Sequence, residues 1–467
     1  MRRAGCGPRG HAAPAAGLTP TPQDWTAPVR DRLSARLERN ADYPFALALS
    51  GGGDSIALLH VAADWARGNG RRLLALTVDH GLSPESAGWT AFAEHAAREV
   101  GAEWRGLKWA GSKPSTGLPA AARRARHGLI ADAAREAGAR VVLFAHTADD
   151  IAEGEVMRDE GSTLGRLREW APSPAWPEGR GLMLLRPMLD AGRAEVRDWL
   201  AVREVSWIDD PANDDPKYAR SRARTSLLPM GEGGAQRRMR VDRGSGVAAH
   251  EQLTLTLSRR ADGVAAVRSS PLPTGEGSPL VLDRSTDPGT LAAALVCAGG
   301  GDRPPRGDRL STLVTRLRSN APFTTTLCGA RIEAAGDRVA IAREPGELTR
   351  RPPPPLPLTP GVEAVWDGRW AIMMDETGWF VVPAAGRMAT LSDADRAALK
   401  ALPPAARAGE PVLIRNEKSA PVLARTGARA RSLVEQRLAL ALDRMTHERD
   451  LGAVFHGETL RNPLFST

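Results

Sequence analysis

A run of three glycines framed by hydroxyls and a carboxylate is the first place where residue types and spacing suggest chemistry. The apolar stretch Phe45 to Leu49 (FALAL) runs directly into Ser50-Gly51-Gly52-Gly53-Asp54-Ser55, and IALLHVAADWA follows with the pattern of an apolar helix. Glycines let the backbone approach an anion, successive amide N–H groups form a nest, and a helix N-terminus favours negative charge. Strand, glycine turn and helix together predict a phosphate cradle. It is neither G-x-x-x-x-G-K-[ST], because no lysine follows, nor G-x-G-x-x-G. Gly299-Gly300-Gly301-Asp302 repeats the glycines, but Arg303-Pro304-Pro305 comes next, where a hydroxyl and an apolar helix would be needed. That second run is expected to be a loop.

Further residues of the same half could share a site with the cradle. Asp79 and His80 close the apolar run LLALTV, where they could border a ligand or cap a strand end. Arg123 and Arg126 lie on one face at helical spacing and could grip phosphate or developing negative charge; a solvated helix face is the competing reading. His146, Asp149, Asp150 and Glu153 follow the apolar run VVLFA. If a helix begins there, His146 pairs with Asp150, and Asp149 with Glu153, at i,i+4. Carboxylates at that point could hold Mg²⁺, while His or Asp could manage a proton; N-capping by Asp149 is compatible with either.

The ordered series of phrases carries a resemblance. SGGGDS in this context resembles the S-G-G-x-D-S signature of the N-type ATP pyrophosphatases, or PP-loop superfamily, which cleave ATP between the α and β phosphates. Val78-Asp79-His80-Gly81-Leu82, Ala122-Arg123-Arg124-Ala125-Arg126-His127 and His146-Thr147-Ala148-Asp149-Asp150-Ile151-Ala152-Glu153 are similar to phrases of the tRNA(Ile)-lysidine synthase family. So are Arg186-Pro187-Met188-Leu189 with Arg193 and Glu195, Trp207 to Asp215, and Tyr218 to Arg224. The likeness is close over residues 40 to 229 and loose over 281 to 345. Pro119, His127, Gly154 and Ser221 depart from the family pattern, where Glu, Tyr, Thr and Asn are usual.

The resemblance implies ATP and Mg²⁺ as cofactors, with Ser50 to Ser55, Asp79 and His80 at the nucleotide and Asp54 and Asp150 near the metal. It implies catalytic roles for Asp54, Arg123, Arg126, His146, Asp149 and Asp150. Asn213, Arg220, Arg222 and Arg224 are expected to meet tRNA, and the other partners implied are L-lysine and a tRNA(Ile) with a CAU anticodon. The implied reaction is a ligation through an adenylated cytidine. A tRNA thiolase, an amidotransferase-type relative and an inactive tRNA-binding homologue are the alternatives.

The elements that must position these residues alternate. FALAL, Leu73 to Val78 and Val141 to Ala145 read as buried strands, with helices over 87 to 100 and 120 to 137 between them. The fold class expected is α/β: a doubly wound parallel sheet of the adenine nucleotide alpha hydrolase type, followed by smaller helical and α+β regions. At 467 residues the chain has room for about three domains of ~150 residues. Residues 1–26 are expected as a disordered extension, 27–229 as the ATP pyrophosphatase domain and 230–280 as a low-complexity insertion. Residues 281–350 are expected as a second, tRNA-contacting domain, 351–360 as a proline-rich linker and 361–467 as an α+β region. In the later parts, helices over 291–297 and 310–317, a hairpin turning at Gly336-Asp337, a hairpin turning at Asp375 to Gly378 and a core-packing helix within 422–445 are expected.

The charge balance, 63 basic against 55 acidic residues, gives +8, and only five of the basic residues are lysine. Arginine forks suit a polyanionic partner, although compositional bias would produce the same excess. Cys6, Cys297 and Cys328 form neither a disulfide framework nor a C-x-x-C site, in keeping with a reducing cytoplasm, where the protein is expected. A homodimer is compatible with the sequence.

Overall fold

The computed structural model describes residues 24–162, 165–209, 222, 223, 226 and 279–452. The expected N-terminal extension, apart from its last three residues, and nearly all of the expected insertion lie outside them. Trp25 and Thr26 are buried at the start of helix α1 (Thr26–Arg36), so the first folded element begins slightly before residue 27.

The first sheet contains β1 (Phe45–Ala48), β2 (Leu73–Asp79), β3 (Glu103–Lys108), β4 (Val141–Leu143), β5 (Trp170–Pro172) and β6 (Met183–Leu185). Their order across the sheet is β3-β2-β1-β4-β6-β5, parallel throughout except for β5, which runs antiparallel at the edge. Helices α2 (Gly53–Gly68), α3 (Ser86–Glu99) and α6 (Arg193–Val202) pack with α1 on one face, around Ile56, Leu58, Leu143 and Val196. Helix α4 (Leu118–Glu136) covers the other, around Leu74, Ile130, Val142 and Leu184. Helix α5 (Ala148–Asp159) follows β4. The chain passes from β1 to β2 on one side and later enters β4 on the other, so a crevice opens between the carboxyl ends of β1 and β4, where open parallel sheets bind ligands.

The pattern of buried strands alternating with helices did not reveal β3, because its sequence Glu-Trp-Arg-Gly-Leu-Lys lies at the sheet edge and leaves its charged ends exposed. An edge strand needs only one partner and no continuous apolar run.

After residue 278, β7 (Leu280–Asp283), α7 (Pro288–Gly299), α8 (Gly307–Arg318), β8 (Phe323–Leu327), β9 (Ala330–Ala335) and β10 (Arg338–Arg343) build an antiparallel sheet in the order β7-β10-β9-β8 with helices against it. The turn expected at Gly336-Asp337 joins β9 to β10, and β8 extends the hairpin to a third strand. Two small sheets follow. One holds β11 (Leu356–Pro357), β14 (Phe380–Pro383), β15 (Pro411–Ile414) and β16 (Val422–Leu423); the other holds β12 (Ala364–Trp366), β13 (Trp370–Met373) and β17 (Arg429–Ser432).

The hairpin expected across Asp375 to Gly378 does not form, since β13 and β14 belong to different sheets. β13 instead turns back on β12 through Asp367-Gly368, both with positive φ, which is the Asp-Gly chemistry that two-residue hairpins favour. The proline-rich stretch supplies β11, paired to β14 through Leu356 and Pro357.

The chain then returns to the first domain. The helix Val434–Ala441 packs between domains, and Leu440, Met445 and Leu451 enter the first domain's core. Glu448, fully buried, accepts two hydrogen bonds from Arg71, at 2.7 and 3.0 Å, and one from the Glu38 N–H at 2.8 Å. Trp170 donates its indole N–H to the Met445 carbonyl, and Arg36 donates to that of Thr446. Removing one partner of a buried pair leaves an uncompensated charge in low dielectric. Glu448→Ala is therefore expected to lower stability by about 3–5 kcal/mol in urea unfolding monitored by tryptophan fluorescence.

Candidate active site

Ser50 to Ser55 leave β1 and enter α2 as expected. Gly51 has φ +86°, a conformation that L side chains rarely adopt, and this turns the loop towards the helix N-terminus. Internal hydrogen bonds brace it: the Ser50 and Ser55 hydroxyls lie 3.1 Å apart, and Ser55 donates to the Gly52 carbonyl at 2.9 Å. The loop is also packed from outside. Ile208 N–H donates to the Gly51 carbonyl at 2.9 Å, and a Cβ on Gly53 would lie 3.5 Å from the Trp207 ring. The Trp207 phrase thus buttresses the cradle directly.

Three helix N-termini, those of α2, α5 and α6, meet at the crevice, and their positive dipole ends suit a polyphosphate. Their first turns carry Asp54, then Asp149 and Asp150, then Arg193 and Glu195. The Arg193 guanidinium lies 3.3 Å from Asp54, 3.3 Å from Asp150 and 2.8 Å from Glu153. Its backbone N–H donates to Asp149 at 2.7 Å. Burial raises the Asp54 carboxyl above its ordinary value, with Asp150 adding to the rise and Arg193 opposing it. Burial works against the Arg193 charge, but the hydrogen bond to Glu153 and the three carboxylates outweigh it and hold the guanidinium above its ordinary value.

The helix expected after β4 does begin there, with a different cap. Thr147 occupies the N-cap, and Asp150 closes a capping box by accepting from the Thr147 backbone N–H at 2.7 Å and hydroxyl at 3.2 Å. Asp149 is not the N-cap, and His146 precedes the helix, so the i,i+4 helical register expected for His146 and Asp150 does not apply. His146 is buried, stacked on Phe144 at 5.9 Å, and its Nδ1 accepts from Arg186 Nε at 3.2 Å. A guanidinium can only donate, so this His146 nitrogen is the acceptor.

Arg123 and Arg126 are half-buried on α4, whereas Arg124 between them is exposed, so the two named arginines face the domain. Burial, and then the Arg126 charge, hold His80 below its ordinary value; His80 Nδ1 is buried without a hydrogen-bond partner. His127, where the family pattern has Tyr, is buried against Phe144, and burial followed by Arg126 and Arg123 pushes it down to about 3. It is therefore a neutral ring packed on Phe144. Asp79 accepts from Gly81 N–H at 2.7 Å and so shapes the turn beyond β2. Among the expected tRNA-contacting residues, Arg222 is exposed, and Asn213, Arg220 and Arg224 lie outside the described residues.

The sequence motifs underrated Arg193 and Glu153. Arg193 could have been noticed as a cation in the first turn of a helix, where it opposes the dipole and so serves something other than the helix.

Fold and site define a PP-loop domain, and the model of that domain family matches residues 26–231. More narrowly, the chain belongs to the tRNA(Ile)-lysidine synthase family. It is 46% identical over 434 residues to the tRNA(Ile)-lysidine synthase of Caulobacter vibrioides, spanning 90% of this chain and 98% of that one. The Hyphomonas neptunium tRNA(Ile)-lysidine synthase is 33% identical over 77% of this chain and 95% of its own length. A solved U34-tRNA thiolase from Methanococcus maripaludis aligns at 16% identity and TM-score 0.36, covering 44% of this chain and 70% of that one, too slight a likeness to weigh.

At Gly51 a Cβ would stand 2.7 Å from the Ile208 Cδ1 atom, at a backbone angle that costs an L residue about 1–2 kcal/mol. Gly51→Ala is expected to weaken binding of a non-hydrolysable ATP analogue in calorimetry, with secondary structure by circular dichroism unchanged.

Proposed function

We propose that this chain ligates lysine to the wobble cytidine of a tRNA(Ile) with a CAU anticodon, through an adenylated cytidine, using ATP with Mg²⁺. The observation that carries this reading is the placement of the glycine loop and the acidic start of α5 on opposite sides of one crevice, joined through Arg193. The loop amides and helix N-termini bind the triphosphate. The cytosine carbonyl oxygen attacks the α-phosphorus as the bond to the β-phosphate breaks and pyrophosphate leaves. The lysine side-chain amine then attacks the ring carbon that bears this oxygen, the carbon–oxygen bond breaks as AMP departs with the oxygen, and the amine loses a proton.

Arg123 and Arg126, both charged and half-buried on α4, are suited to stabilise the negative charge of the first step. The carboxylates of α5 are better placed than His146 to receive the proton, since the Nδ1 lone pair of His146 is already engaged by Arg186. Asp54 and Asp150 fit Mg²⁺, which takes one or two carboxylate oxygens together with phosphate oxygens. Bound there, the ion would neutralise charge building on the phosphates. No group of three or more His, Cys, Asp or Glu residues able to hold a metal occurs among the described residues, and phosphate oxygens and water would complete its shell.

A sulfur-transfer reading finds little support. Cys297 is buried in α7, where burial pushes its thiol up to about 11, and Cys328 lies in the β8–β9 turn, also raised by burial. Neither belongs to the first domain. No helix among the described residues is long and apolar enough to cross a membrane.

The second domain suits tRNA backbone contact. Arg303, Arg306, Arg309, Arg316 and Arg318 are exposed on and before α8, the first three lining a cleft of about 560 Å³. Phosphate contacts by arginine are sequence-independent and salt-sensitive.

Two measurements test the reading. Asp54→Ala is expected to abolish AMP release from ATP, lysine and tRNA transcript while leaving tRNA affinity near that of the parent; equal loss of both would make Asp54 structural. Reversing Arg306 and Arg309 to Glu is expected to raise KM for tRNA with little change in kcat and to lower the salt slope of binding by about one per arginine. Turnover that requires a sulfur donor in place of lysine would overturn the proposal.

A further inference from the structure

Arg193 sits where helix energetics disfavour it. A cation in a first turn faces the positive end of the dipole, and α6 already has its own N-terminal satisfaction, because Glu195 accepts from the Gly192 N–H at 3.1 Å. The side chain instead turns into the crevice, largely buried, and reaches carboxylates from two other helices. Each guanidinium nitrogen takes a different acid: Nε meets Asp54, Nη2 meets Asp150 and Nη1 meets Glu153. Its backbone N–H takes a fourth, Asp149.

We propose that Arg193 is a positioning residue for the ligation: its planar fork holds Asp54, Asp150 and Glu153 at preset separations across the crevice, so that incoming cations meet an assembled acidic site. Without it, three carboxylates on two helices would repel one another and turn away. With it, the three acids share one guanidinium and keep their spacing. Such a site suits a divalent ion beside the phosphates and the ammonium of the amine substrate. Lysine could not replace Arg193 fully, since a point charge on a flexible stem lacks the three divergent N–H directions.

The inference rests on the proposed activity, and the test separates the two. Arg193→Gln and Arg193→Lys are compared with the parent in three readouts: thermal unfolding, the ratio of Kd values for a non-hydrolysable ATP analogue with and without Mg²⁺, and steady-state kinetics. For Arg193→Gln we expect a fold that still melts cooperatively, a much smaller Mg²⁺ effect on analogue affinity, and a kcat lower by about 100-fold with KM for tRNA unchanged. Millimolar guanidinium is expected to restore part of kcat, and Arg193→Lys to lie between parent and Gln. An unchanged Mg²⁺ ratio and kcat would overturn the inference, as would a loss of activity that follows loss of folding and responds neither to guanidinium nor to Lys. Should the parent fail to modify tRNA, the proposed activity falls, while the Mg²⁺ ratio still decides the role of Arg193.

Discussion

The guanidinium of Arg193 lies 3.3 Å from Asp54 on α2 and 2.8 Å from Glu153 on α5, while its own helix, α6, packs beside α2 on the same sheet face. Three helix N-termini are thereby tied to one point. The arrangement answers an electrostatic conflict. The proposed reaction asks for positive helix ends and amides for phosphate together with acids for metal and amine, and acids repel one another when buried. A single cation with three donor directions lets both sets coexist in one crevice.

A second constraint works at the scale of domains. Residues 443–451 return to the base of the first sheet, where Glu448 neutralises Arg71 inside the core and Trp170 is hydrogen-bonded to Met445. The C-terminal region is therefore continuous with the catalytic domain's interior. The later domains are also pressed against each other. A side chain at Gly299 would collide with the Cys328 carbonyl, and one at Gly300 with that of Asp367, so the second glycine run marks a crossing of three backbones. Trp176 of the first domain donates to Gly368 in the same neighbourhood. The proposed function puts RNA on one domain and ATP on another, and these contacts hold the two domains at a fixed separation.

Much of the site was readable before the structure because it is local. Strand, glycine turn and apolar helix lie within about twenty-five residues, and their geometry follows from backbone freedom at Gly51 and from the helix that begins at Gly53. The acids of α5 were readable as a cluster. Their helical register was not, because Thr147 takes the cap and leaves His146 before the helix, a choice between neighbouring side chains that spacing alone does not make. The edge strand β3 and the separation of β13 from β14 were also hidden. Each depends on which distant strand offers hydrogen bonds, and the local residues are compatible with more than one answer.

By itself, then, the chain's sequence determined the glycine loop, the parallel α/β core and the set of acids and arginines around it, since these arise from short-range geometry and period. Only tertiary structure decided that Arg193, 139 residues from Asp54, is the charge that joins those acids, and that Glu448, 377 residues from Arg71, closes the core beneath them. Ion pairs of that kind leave no periodic trace. They become visible only when the fold has removed water from both partners and made each the other's nearest counter-charge.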